Sequence, residues 1–391
     1  MIFDLLSLLK YNMCMAEKFD DIHYSYREID GYNKPFNFVT SPRELGKTAT
    51  MWLKKIYIPW KKDHKPWIYL VRKSVEINSA LIDSIADTIL NKFTDDNVSF
   101  VYKVGSFKDG IVDVFIPVKT TQKKLVKDEN GKEVEKEVIR TENILFFRIV
   151  SLNIDMRRIK LAVLKGVKGV FMDEYIINPK MDEHYIKNEA NKIKEAYTTW
   201  RREADGILKF YIVANPYSLF NPLFVDWDVD TNKLKIGSFY VGTTFVIHYP
   251  KLSTEIYNML LQKNPLFSAD EFYRQYALEG QSVNDMNIRI GEQPQGFFLK
   301  FVFKHNQKYI GIFQNNDYSE DTKFFCKFVD VVSARRTIYC FDFAELVDRG
   351  IVMSLDERQK IQRFKEAFRK RAIVFEDINC YYFIEEIYKN I

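Results

Sequence analysis

The apolar run Phe36–Thr40 (FNFVT) leads directly into Ser-Pro-Arg-Glu-Leu-Gly-Lys-Thr at 41–48. Few features of this chain constrain its fold more. The run has the content of a buried strand, and the residues from Gly46 to about Ile58 read as a helix. The loop between them has the spacing G-x-x-x-x-G-K-[ST], with Ser41 in place of the first glycine. Glycine before Lys-Thr lets backbone N–H groups approach a phosphate closely. The lysine reaches the outer phosphate oxygens and the threonine hydroxyl serves Mg²⁺. Ser41, Pro42, Arg43, Glu44, Leu45, Gly46, Lys47 and Thr48 are thus candidate nucleotide-binding residues, with Thr48 also a candidate metal ligand. Gly-Lys-Thr also opens helices that bind nothing, so the loop needs support from elsewhere.

That support comes from the pattern around it. Trp67–Val71 (WIYLV) reads as a second strand, and Ile77, Leu81, Ile85, Ile89 and Phe93 have the spacing of one helix face. Strand, helix, strand, helix opens an α/β fold with a mostly parallel sheet. Short strands follow over 98–118, with a turn at Asp109-Gly110. Residues 169–173 (GVFMD) and 207–213 (ILKFYIV) read as further core strands, with a polar helix between them over 181–204. Strands follow over 229–250 and short helices over 253–263 and 268–279. The polar stretch 280–296 reads as a linker. Beyond it come a hairpin over 297–314, strands near 323–332 and 337–343, and two closing helices.

Residues 119–142 stand apart, with seven Lys/Arg, six Asp/Glu and Asn130-Gly131 at the centre. Asn-Gly is a strong hairpin signal, so an exposed β-hairpin inserted in the domain is expected. It is either a polar excursion without a role or an element that touches DNA or a neighbouring subunit.

Composition sets the outer bounds. At 391 residues, 47% hydrophobic and 28% charged, the chain is neither disordered nor a rod, and its length suits two or three domains. A net charge of +5 permits a polyanionic partner without demanding one. Cys14, Cys326, Cys340 and Cys380 include no C-x-x-C pair, which disfavours a zinc site or a disulfide framework and fits a reducing compartment. No run reaches the roughly 18 apolar residues that span a bilayer. The apolar N-terminus carries Asp4 and lacks the basic start of an export signal.

A second motif sharpens the first. Val170-Phe171-Met172-Asp173-Glu174 is an apolar strand ending in Asp-Glu. Asp173 would hold Mg²⁺ and Glu174 would orient and polarise an attacking water. Together with the 41–48 loop, this points to a nucleotide-hydrolysing domain. Asn215, before Pro216 at the end of 207–213, is open to two readings: a γ-phosphate sensor at a strand tip, or an ordinary Asn-Pro turn.

The stretches FNFVTSPRELGKT, GVFMDEY, TTWRRE and ANPYSLFNPLF, in this order, resemble the DNA-packaging motor ATPases of phi-29-like phages, relatives of large terminase subunits. The likeness covers most of residues 30–314. It departs at Ser41, at the 119–142 hairpin and over the last 75 or so residues. The resemblance implies a P-loop ATPase of the ASCE type using ATP and Mg²⁺. It implies a ring, a pentamer, that sits on the portal of a procapsid and translocates double-stranded DNA in the host-cell cytoplasm, absent from the mature virion and with no membrane partner. A structural packaging RNA serves some such motors. The expected division is an N-terminal extension (1–22), the ATPase domain (23–228), a lid or linker region (229–296) and a C-terminal α+β, RNase H-like vestigial nuclease domain that binds nucleic acid (297–391). In such rings an arginine completes the neighbouring subunit's site. By its position in TTWRRE, Arg201 matches, with Arg202 beside it and Arg157 and Arg158 as alternatives; without the resemblance Arg201 reads as a helix-end cation. The catalytic set is then Lys47, Glu174, Asn215 and Arg201.

Two rival readings remain. A complete terminase would cut DNA with clustered carboxylates, for which Asp330, Asp342 and Glu345 are the candidates; their sparseness favours a nuclease fold kept for binding. A nucleotide-binding protein without turnover is disfavoured by the presence of both Lys47 and Glu174. Ser354-Leu355-Asp356-Glu357 reads as a capping box for a helix with Ile361, Phe364 and Phe368 on its apolar face. Its other side carries Arg358, Lys360, Arg363, Lys365, Arg369, Lys370 and Arg371, a solvated face or a phosphate-binding one.

Overall fold

Strands β1 (Phe36–Thr40), β2 (Trp67–Val71), β5 (Val170–Met172), β6 (Phe210–Ala214) and β8 (Phe245–Tyr249) are buried at every position. Burial on both faces is what a parallel sheet covered by helices requires, and it explains why these segments read as continuous apolar runs. The computed structural model describes residues 23–127, 133–177, 184–219, 221–282, 288–305, 307–315, 324–330, 336–348, 350–370 and 372–388. The 1–22 extension and the Asn130-Gly131 turn lie outside them. The chain forms two units: Met1–Pro216 with Lys235–Gln281, and Tyr217–Leu234 with Ser282–Ile391.

The first unit holds an eight-stranded sheet in the order β3-β4-β2-β5-β6-β1-β8-β7, with β3 at Ile111–Lys127, β4 at Glu133–Ser151 and β7 at Ser238–Val241. From β4 to β8 all neighbours are parallel, and β3 and β7 close the two edges as antiparallel strands. Helix α1 follows the 41–48 loop as Lys47–Thr50 and widens into π-helical Met51–Tyr57 before ending as Ile58–Asp63. Its Trp52 is fully buried, with its ring 5.2 Å from Tyr69, 5.0 Å from Phe147 and 5.7 Å from Phe171. Aromatic pairs of this kind add roughly 0.5–1.5 kcal/mol each beyond area burial. They clamp the helix that starts at the loop to the strand that leads into Asp173. Gly169 lets β2 and β5 close up, since a Cβ there would lie 2.5 Å from the Trp67 ring.

Several expected elements shift. Helix α2 begins at Ser79, capped by the Asn78 carboxamide accepting from the Leu81 N–H, and runs through π-helical Ile85–Leu90 to Phe93. Of the expected stripe Ile77 and Ile85 are buried, while Leu81, Ile89 and Phe93 are half-buried and Ile82, Ala86 and Leu90 fill the core beside them. The two strands of the hairpin expected over 119–142 pair antiparallel. They are the outward continuation of β3 and β4, whose other ends belong to the sheet. The helix expected over 181–204 forms as α4, Glu189–Trp200, because Asn188 has φ +58° and stops it from starting earlier; α3 is Met156–Leu161. The expected 229–296 region is divided. Strand β8 pairs with β1 inside the first sheet, followed by helices Thr254–Lys263, Pro265–Ala269 and Glu271–Ala277. Residues 217–234 instead pack in the second unit, where Lys308 donates to the Val225 carbonyl and Asn379 to the Val229 carbonyl.

The second unit holds a seven-stranded mixed sheet. Its strands are β9 (Arg289–Ile290), β10 (Phe298–His305), β11 (Lys308–Gln314), β12 (Phe324–Phe328), β13 (Thr337–Cys340), β14 (Gly350–Val352) and β15 (Ile373–Phe375), in the order β14-β13-β10-β11-β12-β15-β9. Strands β10, β11 and β12 form an antiparallel meander, and β13 and β14 continue parallel to β10. Ile361 and Phe364 face the core formed with Phe303, Phe324 and Ile384, as their spacing predicts. The basic helix breaks at Ile361 into Leu355–Lys360 and Gln362–Arg369. Only half of the capping box forms: the Ser354 hydroxyl accepts from the Glu357 N–H, while the Glu357 carboxylate turns to Lys360.

Candidate nucleotide site

Parallel strands β2, β5, β6 and β1 are consecutive neighbours, so their C-terminal ends line one edge of the sheet. Every motif residue picked out on the first two core motifs follows one of those ends. After β1, the Ser41 N–H donates to the Ala214 carbonyl at 3.1 Å, fixing where the loop leaves the sheet. Ser41 is buried and its φ is not positive, so a glycine is not needed there; its hydroxyl donates to the Pro42 carbonyl. Gly46 is different. Its φ is +63° and a Cβ would lie 2.1 Å from the His23 ring. The Lys47 carbonyl accepts from the Tyr26 hydroxyl and the Leu45 carbonyl from the Tyr24 N–H, so residues 24–26 brace the loop from outside. Arg43 and Glu44 are exposed.

Lys47 is 5% exposed, and its Nζ donates to the Asn215 Oδ1 at 2.7 Å. Burial lowers the ammonium to about 8, against the upward pull of Asp173 and Glu174. Asn215, itself buried, therefore stands against the loop lysine and does more than start a turn. The Thr48 hydroxyl donates to the Asp173 Oδ2 at 2.8 Å. Burial raises the Asp173 carboxyl, while Lys47 and the Thr48 hydroxyl pull it back down. Glu174 is exposed and sits at φ +55°, a conformation that costs an L-residue about 1–2 kcal/mol. Its N–H caps the Asp173 Oδ1 at 2.9 Å.

What holds that strained turn is a residue the sequence reading missed. Arg72 follows β2 and is 8% exposed. Its guanidinium donates to the Glu174 carbonyl at 3.2 Å and the Tyr175 carbonyl at 2.9 Å. It also pairs with the fully buried Glu189 carboxylate at 3.0 Å and lies over the Tyr185 ring. Glu189 opens α4, the helix that ends at Arg201. An arginine closing an otherwise apolar strand, WIYLVR, was the available signal. Arg72, Glu76, Asp173, Glu174 and His184 line a cleft of about 510 Å³.

The arginines sort by sheet edge. Arg201 is exposed at the C-terminal end of α4, and the Glu203 carbonyl accepts from the Gly166 N–H. This puts it near the starts of β5 and β6, at the edge opposite Lys47. Arg202 is also exposed. Arg157 and Arg158 are exposed on α3, just past the end of β4, with Arg158 3.7 Å from Asp109.

In the second unit, Asp342 caps a turn by accepting from the Ala344 N–H, and Asp330 is exposed at the end of β12. Strands β13 and β12 are separated by β10 and β11, three spacings or about 14 Å. The Glu345 side chain lies outside the described residues.

No family model matches the sequence, and no curated protein is similar enough to count as a relative. Solved structures do match. A chain of the bacteriophage phi-29 viral genome packaging motor assembly superposes with a TM-score of 0.65 at 16% identity, over 94% of this chain and 99% of that one. The phi-28 gp11 DNA packaging motor superposes with a TM-score of 0.58 at 13% identity, over 93% of this chain and 97% of that one. The chain thus has the α/β fold of these packaging-motor proteins across both of its units.

Proposed function

We propose that this chain is the ATP-hydrolysing subunit of a ring motor that drives double-stranded DNA into a viral procapsid. One observation carries the reading. Lys47–Asn215 and Thr48–Asp173 converge, with Glu174, on one sheet edge of a chain that shares its fold with two phage packaging motors. In this reading the loop amides of 41–48 and the Lys47 ammonium bind the nucleotide phosphates. Phosphate would compete with Asn215 for Lys47, so nucleotide state changes what Asn215 touches and thereby reaches the chain beyond β6. Glu174 orients and deprotonates water, held in place by Arg72.

Thr48 and Asp173 offer two hard oxygen donors in mutual contact, a set that fits Mg²⁺, which binds through one or two protein oxygens beside phosphates and water. Bound there, Mg²⁺ supplies charge neutralisation at the phosphate oxygens. Arg201 lies at the far edge from its own Lys47, which supports action on a neighbouring subunit's nucleotide. Arginine suits that role because its planar guanidinium keeps its charge and grips two oxygens.

The rest follows the same reading: a pentameric ring on the portal in the host cytoplasm, with a structural RNA as a further scaffold. The second unit's order β12-β11-β10-β13-β14, with β11 antiparallel to its neighbours, supports the RNase H-like reading. The separation of Asp330 from Asp342 supports a binding role for it rather than cleavage. The test is Mg²⁺-dependent ATP hydrolysis by the full chain, with and without duplex DNA and empty capsids. Stimulation is expected, and Glu174→Gln should bind nucleotide but not turn it over. Hydrolysis absent under every condition, with nucleotide still bound, would leave only a binding protein.

A further inference from the structure

Beyond Val118 and Glu142, strands β3 and β4 pair only with each other. Residues 119–127 and 133–141 thus form a two-stranded arm, nine residues or about 30 Å long. The register sorts its charges. In a pleated strand alternate residues share a face, and cross-strand partners share it with them. One face takes Lys119/Thr141, Thr121/Ile139, Lys123/Glu137, Leu125/Glu135 and Lys127/Glu133. Its three lysines are balanced by three glutamates, two of them directly opposite a lysine. The other face takes Thr120/Arg140, Gln122/Val138, Lys124/Lys136 and Val126/Val134, with three cations and no anion.

The arm carries six cations and three anions, and by register the whole excess of three falls on one face. Within the domain the same face of β3 carries Val112, Val114 and Ile116, all buried. Past Val118 the same face of β3 continues as Thr120, Gln122 and Lys124. Lys124 opposite Lys136 is a pairing that destabilises an isolated ribbon. A polyanion turns that cost into a gain.

We propose that the even-numbered face of the β3–β4 arm, through Lys124, Lys136 and Arg140, binds the phosphate backbone of duplex DNA. This rests on the packaging-motor reading for its choice of nucleic acid. A two-stranded ribbon fits the major groove of B-DNA, about 12 Å wide, whereas the deep, narrow major groove of duplex RNA excludes it.

The experiment measures binding of the full chain to a 30-bp DNA duplex by fluorescence anisotropy across a salt series. Each phosphate contact contributes about 0.9 to the slope of log affinity against log salt. Lys124→Gln/Lys136→Gln/Arg140→Gln should flatten that slope by up to about 2.7. Lys119→Gln/Lys123→Gln/Lys127→Gln, removing three cations from the balanced face, should flatten it far less. Arg140→Gln alone, at an exposed site, should flatten it by about 0.9 and guards against a folding defect in the triple variant. Equal flattening by both triples would overturn the face assignment, and no flattening would overturn the proposal. Equal effects on a 30-bp RNA duplex would overturn the choice of DNA. A variant with normal DNA slopes but defective ring assembly would make the arm a subunit contact instead. Basal ATPase without DNA should be unchanged in all variants. A parent lacking ATPase that still shows the slope change would refute the motor reading while leaving the arm's DNA contact intact.

Discussion

Removing Arg72 should damage the fold and the chemistry in separable ways. Its guanidinium is the partner of the fully buried Glu189 carboxylate and holds the Glu174 and Tyr175 carbonyls. Arg72→Met leaves a buried charge uncompensated, which costs about 3–5 kcal/mol. In a domain of this size that lowers the melting transition by about 10 °C. Arg72→Met/Glu189→Leu removes both charges together. Swapping a buried pair for apolar groups is often neutral, so most of the lost stability should return. Hydrolysis should not. The Glu174 turn, at φ +55°, would still lack its two donors, and a displacement of about 1 Å at a water-orienting group costs about 100-fold in rate. Thermal unfolding followed by circular dichroism and steady-state ATPase give the two readouts. A double variant that regains activity together with stability would refute a positioning role for Arg72.

Further outcomes follow from the same geometry. Burial holds the Lys47 ammonium near 8, so nucleotide affinity should be flat below that pH and fall about tenfold per unit above it, measured with a fluorescent nucleotide from pH 7 to 9.5. The same lowered value makes the unfolded chain hold that proton longer, so Lys47 adds stability as pH rises from about 8 toward 10.5. A pH-independent affinity would show that the charge of Lys47 is not needed. Gly46→Ala meets the His23 ring and needs positive φ, so isothermal titration should show nucleotide binding lost. Arg201→Ala and Glu174→Gln proteins should each be inactive in an ATPase assay and regain activity when mixed, and no recovery in rings that exchange subunits would remove Arg201 from action in trans.

The parallel core was legible because burial on both faces leaves uninterrupted apolar runs, and Phe36–Thr40 and Trp67–Val71 were read at their true limits. That Lys47, Thr48 and Asp173 would be brought together was legible from the spacing of the two motifs, and the Thr48–Asp173 hydrogen bond and the placement of Lys47 agree with it. Arg72 was not, since its role depends on which strand ends lie side by side, and strand order is a non-local property. The buried face of Ser79–Phe93 was legible only in part: Ile77 and Ile85 are buried, but a stripe of strict four-residue steps drifts off a 3.6-residue helix face and leaves out Ile82, Ala86 and Leu90. The start of α4 was misplaced because a single left-handed residue, Asn188, decides it.

The excursion of residues 217–234 bears on how the protein can be taken apart. Neither unit is a continuous piece of chain, which passes from one to the other after Pro216, after Leu234 and after Gln281. A fragment cut at residue 297 would be missing the backbone carbonyls of Val225 and Val229 that Lys308 and Asn379 donate to. It would also lack the Asp228 carboxylate paired with Lys308 at 2.7 Å. A deletion series trimmed from either end would thus blame the last segment removed for losses that belong to an internal one. A stand-alone second unit would have to be built as a fusion, residues 217–234 spliced ahead of 282–391 through a short flexible connector. The hydrogen bond between Ser218 and Tyr382 gives a direct check that the fusion has folded.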